Sequence, residues 1–209
     1  MMESKLHRSV WRRTVGLKEH VYSVLLVSAS EKFNDALTRL LPASKYDPVT
    51  VVHGAAAART TLIDLDYDLI IINSPLPDDN GTRLAVDIST DSKRSVVLLA
   101  VRSEYYAEAY DRVLEHGVFV ISRPMTEAML RTALDWMKCE RERLRGAEKK
   151  AVSLEEKMEE IRLVNRAKWI LISELKMGEN EAHRYIEKHA MNLCIPKREV
   201  AQDIIRRYT

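Results

Sequence analysis

Between positions 21 and 124 the chain alternates short, almost wholly apolar runs with stripes of apolar residues at helical spacing, and few architectures satisfy that alternation. The runs fall at 24–27 (Val-Leu-Leu-Val), 49–52, 69–72, 96–101 and 118–121. Runs lacking polar residues at every second position belong to strands buried on both faces. After the first run, Ser30 is placed to cap a helix with apolar positions Phe33, Ala36, Leu37, Leu40 and Leu41, and Pro42 marks its end. Helices are predicted over 55–65, 81–88 and 105–115, the last stopped by Gly117. Strands alternating with helices predict an α/β domain: a five-stranded, parallel, doubly wound sheet in the order 2-1-3-4-5.

Beyond Pro124 no strong breaker appears until Gly178, with only Gly146 interrupting, which predicts one long helix. Leu130, Met137, Leu144, Ala151 and Met158 recur every seven residues, with Ala133, Ala147, Leu154 and Ile161 in companion positions. Such heptads predict a coiled-coil connector over 125–160, and a parallel homodimer is favoured over docking of the same stripe on the preceding domain. Asn165 continues the series, as a register-fixing residue or as the mark of its end. Three helices are then expected over 161–209. The first carries Ile161, Val164, Ala167, Ile170, Leu171 and Leu175 on its apolar face, the second Ala182, Tyr185, Ile186, His189 or Ala190, and Leu193, and the third, opening at Pro196, Val200, Ala201, Ile204 and Ile205.

Asp68-Leu69-Ile70-Ile71-Ile72-Asn73-Ser74-Pro75-Leu76-Pro77-Asp78-Asp79-Asn80-Gly81 resembles the central strand and loop of a response-regulator receiver, a flavodoxin-like fold. Receivers carry an aspartate at the end of this strand, whose carboxylate attacks a phosphoryl group beside a magnesium ion. Asn73 stands there, and an amide has no anionic oxygen and is a poor ligand for a hard dication. The acidic pair expected after the first strand is Ser28 and Ala29, the hydroxyl after the fourth is Ala100, the lysine before the proline is Arg123, and the aromatic switch position is Val120. The resemblance therefore implies a pseudo-receiver over 21–135, with the fold kept and the phosphoryl chemistry absent. Asp68, Asp78 and Asp79 read as a solvated face before a magnesium cluster, and Ser74 as a phosphoacceptor lacks a supporting base.

Near the end of the chain, Arg166-Ala167-Lys168-Trp169-Ile170-Leu171-Ile172, Glu181-Ala182-His183-Arg184-Tyr185-Ile186, His189-Ala190-Met191 and Glu199-Val200-Ala201 resemble an ANTAR domain, the RNA-binding module of bacterial antiterminators. The resemblance implies RNA contacts by Lys168 above all, with Arg166, Arg184 and Lys188, and with Trp169 in a position usually held by glycine. Lys197 and Arg198 open the last helix, and His183 reads first as a packing residue. From Ile161 onward ten basic residues face six acids, a local net charge of +4 that suits phosphate contact only moderately. RNA loops are read by stacking unpaired bases on aromatic or guanidinium planes, and Trp169 and the arginines supply both.

A net charge of +2 on 209 residues does not by itself mark a nucleic-acid binder. Cys139 and Cys194 lack metal-ligand spacing and read as reduced thiols, and no run approaches the ~18 apolar residues of a membrane span. A cytoplasmic, non-enzymatic protein without cofactor or metal is expected. Residues 1–20, with Lys5, Arg8, Arg12, Arg13 and Lys18, read as a basic arm for RNA or as a loose terminus. The expected function is a homodimeric antiterminator that stabilises hairpins in nascent leader RNA, controlled by a partner protein or ligand. The alternatives are a pseudo-receiver adaptor acting through protein contacts and an ordinary phosphorelay regulator; DNA binding is disfavoured because no helix-turn-helix recognition helix is evident.

Overall fold

In the computed structural model, which describes residues 20–208, the apolar runs pair as a parallel sheet in the order β2-β1-β3-β4-β5. The strands are β1 (Tyr22–Val27), β2 (Tyr46–Val52), β3 (Leu69–Asn73), β4 (Val96–Arg102) and β5 (Phe119–Arg123), and they alternate with α1 (Glu31–Thr38), α2 (Ala55–Asp64), α3 (Thr82–Asp91) and α4 (Tyr106–Val113). Two 3-10 turns flank α4, so the expected single helix over 105–115 is broken at both ends. The last three helices are α5 (Glu127–Leu175), α6 (Glu179–Leu193) and α7 (Lys197–Tyr208). The described residues divide into two compact units, one ending at Arg145 and one beginning at Gly146. The basic arm lies outside the described residues, apart from His20.

The first unit is a three-layer sandwich, and the strands' two-residue period decides which side chains meet which helices. Leu25, Val27, Ile70, Ile72, Val97 and Leu99 share one core with residues of α2, α3 and α4. Val24, Leu26, Leu69, Ile71, Val96 and Leu98 share the other with Leu37 of α1 and with Leu130, Ala133, Leu134 and Met137 of α5. β3 is the central strand, and all five of its residues are buried.

This packing corrects part of the dimer expectation. Leu130 and Met137 are in the core and Leu144 packs against it, so the first three heptad positions cover the sheet of their own chain. A helix that must seal one sheet face needs apolar residues on one side just as a coiled coil does, and the heptad pattern does not separate the two. Ala151, Leu154, Met158 and Ile161, farther along α5, are exposed.

A polar clasp holds α5 to the sheet beyond Met137. The Asp68 carboxylate, at the entrance to β3, accepts from Arg141 Nε at 2.8 Å, from Arg145 Nη2 at 2.8 Å and from the Ser23 backbone N–H at 3.1 Å. Arg145 also reaches Glu142 at 2.7 Å and lies over the Tyr22 ring, whose hydroxyl donates to Glu142 at 3.0 Å. Burial raises the Asp68 pKa, but the Arg141 hydrogen bond, the Ser23 N–H and the two guanidinium charges outweigh it and hold the carboxyl below its ordinary range. Burial, followed by the bond to Glu142, pushes the Tyr22 phenol up to about 12. Asp68 is therefore not part of a solvated face.

Two glycines answer to geometry. Gly81 opens α3 with φ +82°, and a Cβ there would stand 3.1 Å from Ile72 Cγ2. Gly54 precedes α2, whose first N–H groups are capped from the β3–α3 loop: Asp78 accepts from Ala55 N at 2.8 Å and from Ala56 N at 2.9 Å. A Cβ on Gly54 would lie 2.8 Å from that carboxylate. Asp79 accepts from Gly81 N at 2.6 Å. Both acids expected to be merely solvated hold the loop in shape.

Candidate nucleic-acid interface and the receiver pocket

The second unit packs the end of α5 against α6 and α7 through small residues. Ala167, Leu171, Ala182, Ile186, Ala190, Val200, Ala201 and Ile204 form its core, where alanines let helix backbones approach closely. Ile161, Leu175 and Leu193, expected on the apolar faces, are 59%, 43% and 61% exposed. Leu175 and Leu193 are the last residues of α5 and α6, where fewer neighbours remain to cover them, whereas Ile161 lies within the unbroken α5. Glu181 reaches back to the Gly178 N–H and closes the start of α6.

The expected RNA contacts sort into two kinds. Lys168 is largely covered, with only 18% of its side chain exposed, and its Nζ lies 3.3 Å from Glu179 Oε1, so it ties α5 to the start of α6. Lys197 similarly reaches Glu187 at 2.5 Å, and that bond, then the lysine's charge and the nearby His183, hold the Glu187 carboxyl below its ordinary range. Two of the seven expected contacts are thus engaged within the bundle, Lys168 largely covered and Lys197 partly exposed. Arg166, Arg184, Lys188 and Arg198 are exposed and have no ion pair among the described residues.

Trp169 is 71% exposed, so the residue departing from the family pattern is a surface feature and not a packing one. Arg162, Arg166, Trp169 and Ser173 follow one another at steps of four, three and four along α5, and all four are exposed. They form one stripe, two guanidinium groups followed by an indole. The four-residue spacing of Arg162 from Arg166 already suggests in the sequence that the two share a face and could contact phosphates. Arg198, at the start of α7, lines a groove of about 630 Å³ with Arg162, Met158 and Glu159.

In the first unit the Asn73 side chain is buried, its Nδ2 donates to Ser28 Oγ at 2.9 Å, and its Oδ1 has no hydrogen-bond partner. Ser28 and Ala100 are fully buried, Ala29 is exposed, and the Arg123 guanidinium donates to the Ser74 carbonyl. The residues do not fit a magnesium site: an amide and a hydroxyl stand where carboxylates are required, and Asp78 and Asp79 hold backbone N–H groups instead. Among the described residues no group of three or more His, Cys, Asp or Glu is placed to hold a metal ion, and no helix is long and apolar enough to cross a membrane. Cys139 and Cys194 are free and exposed.

Residues 153–205 match the ANTAR domain. The fold of the first unit is that of solved receiver domains. The signal receiver domain of an HD domain-containing protein from Pseudomonas fluorescens Pf-5 aligns with a TM-score of 0.55 at 19% identity, covering 66% of this chain and 98% of that one. The response regulatory domain of a Klebsiella pneumoniae protein aligns at 0.51 and 17% identity, over 58% and 98%. A structure titled as adenylate cyclase from Rhodopirellula baltica aligns at 0.56 and 19% identity, over 65% and 98%; at that identity the likeness speaks for the fold alone. No curated protein matches the chain. A receiver-fold domain followed by an ANTAR domain defines the class. The chain thus joins a receiver-fold unit to a segment that matches the ANTAR domain.

Proposed function

We propose that this chain is an RNA-binding transcription antiterminator whose ANTAR domain grips hairpin loops in nascent leader RNA through the Arg162, Arg166 and Trp169 stripe, with Arg184, Lys188 and Arg198 on backbone phosphates. The observation that carries this reading is the stripe itself. An indole left 71% exposed, next along one helix face to two arginines without carboxylate partners, is the combination that stacks an unpaired base while neutralising its phosphates. In this reading Lys168 supports the interface by holding α6 in place.

The exposed positions Ala151, Leu154, Met158 and Ile161 of α5 would pair two chains, so that a second hairpin binds at high effective concentration. Control would come from a partner or ligand, since Asn73 presents an amide where receivers present a nucleophile.

Binding of leader hairpins by the full chain tests the reading. Trp169→Ala is expected to weaken affinity about 5- to 100-fold, the worth of one stacked base. Arg166→Ala should lower the slope of log affinity against log salt by ~1. Full affinity in both variants, or none in the parent chain at low salt, would refute the proposal, and terminator read-through in vitro then tests the regulatory step.

A further inference from the structure

Between α3 and α4, on the side of the sheet where β3 and β4 end, lies a cleft of about 360 Å³ lined by Ser74, Asn80, Thr82, Arg102, Tyr105 and Arg112, among others. We propose that this cleft binds a small organic anion, with Arg102 and Arg112 taking its carboxylate or phosphate and Pro75, Val101, Tyr105 and Ala109 receiving its apolar body.

Three observations converge on it. The cleft sits beyond the carboxyl ends of β3 and β4, next to the β1/β3 point where the strand order reverses, and its volume is near the lower end for small-molecule sites. The β4–β5 register sets Arg102, which lines the cleft, directly opposite the like-charged Arg123. Arg123 has no carboxylate partner among the described residues: its guanidinium donates to the carbonyl of Ser74, a lining residue, and its buried Nε has no partner. Burial, and then the charge of Arg102, lower the Arg123 pKa and outweigh the opposing charge of Glu104.

The cleft's acids do not cancel this excess. Glu108, on its wall, lies 2.8 Å from Arg112, and Glu104 lies 3.9 Å from Arg102. Both pairs are more than half exposed, so each arginine turns toward a better-placed anion at little cost. The planar forks of two arginines suit a carboxylate or phosphate, and the Thr82 hydroxyl and Asn80 amide supply neutral donors.

The inference rests on the proposed function only for its consequence, that the anion serves as the controlling ligand. The binding test is backbone amide NMR of the full chain titrated with phenyl phosphate, benzoate and, as the neutral analogue, benzyl alcohol. Saturable shifts at Ser74, Val101, Arg102 and Tyr105 with either anion, absent with the alcohol, are expected, and the stronger of the two distinguishes phosphate from carboxylate. Arg102→Gln and Arg112→Gln should each weaken binding about fivefold or more while leaving the remaining spectrum in place. No saturable shifts, equal shifts with the alcohol, or unchanged affinity in both variants would overturn the site. A chain that ignored RNA would sink the regulatory consequence and leave these spectra as they stand.

Discussion

Asn73 shows how much turns on one atom. Its Nδ2 is satisfied by Ser28 while its Oδ1 faces a buried space without a donor, so the position is closed by an amide where a receiver keeps a carboxylate and a metal. Restoring the acid alone restores neither the missing acidic pair nor the metal. Asn73→Asp is therefore expected to leave the chain unmodified by acetyl phosphate, as judged by intact mass. It should also lower the urea midpoint, because a carboxylate is buried with one hydroxyl as its partner, at a cost of roughly 1–3 kcal/mol. Stoichiometric phosphorylation of the parent would overturn the phosphorylation-independent reading, and that of the variant would show that the rest of the pocket still supports the chemistry. Lys168 teaches the complementary lesson: its place in the family-like motif was legible, but the 3.3 Å approach of Glu179, eleven positions away, was not. Trp169 and Arg166 sit on either side of it in the sequence and point outward because a helix turns about 100° per residue.

At the level of elements, α5 does two jobs along one apolar stripe. Its first turns close the sheet, and the Asp68 clasp extends that attachment to Arg145. Since Asp68 is held below its ordinary range, its ionised form is the one the fold favours. The clasp thus adds stability above the usual carboxylate pKa of about 4 and loses it as pH falls below that value, through the depressed one. Asp68→Asn leaves the buried Arg141 facing a neutral amide and should cost about 2 kcal/mol or more. Calorimetry is expected to show a lower midpoint for the variant at pH 7 and a smaller difference from the parent near pH 3; an equal difference at both would show that the ionised pair contributes nothing. β3 and β4 were readable because a strand buried on both faces has nowhere to hide a polar residue. The β2 boundary, which begins at Tyr46 and not at 49, was less so, since Tyr46-Asp47-Pro48 carries turn residues into a strand.

Across the whole chain, the heptads yield to a measurement of assembly. With Leu130, Met137 and Leu144 already packed on their own sheet, the exposed Ala151, Leu154, Met158 and Ile161 are what remains for self-association. A Met158→Glu, Ile161→Glu double variant should sediment as a monomer while the parent sediments as a dimer, and the ellipticity of both should be similar because both sites are on the solvent side of the helix. A monomeric parent, or an unchanged dimer in the variant, would remove α5 as the pairing element.

The alternation of strands and helices, the long helix and the three-helix end were determined by sequence alone, because each depends on local pattern: short apolar runs in buried strands, a 3.6-residue stripe in a helix, and glycine or proline where the chain must turn. The tertiary structure alone decided which of two uses a periodic stripe serves and which charges are free. Asp68 meets Arg141 and Arg145 more than seventy positions away, and Arg102 lies across from Arg123 only through strand register. Ion pairs over such separations leave no repeat in the sequence, since any acid and any base satisfy the pattern and only the folded path brings a particular two within reach.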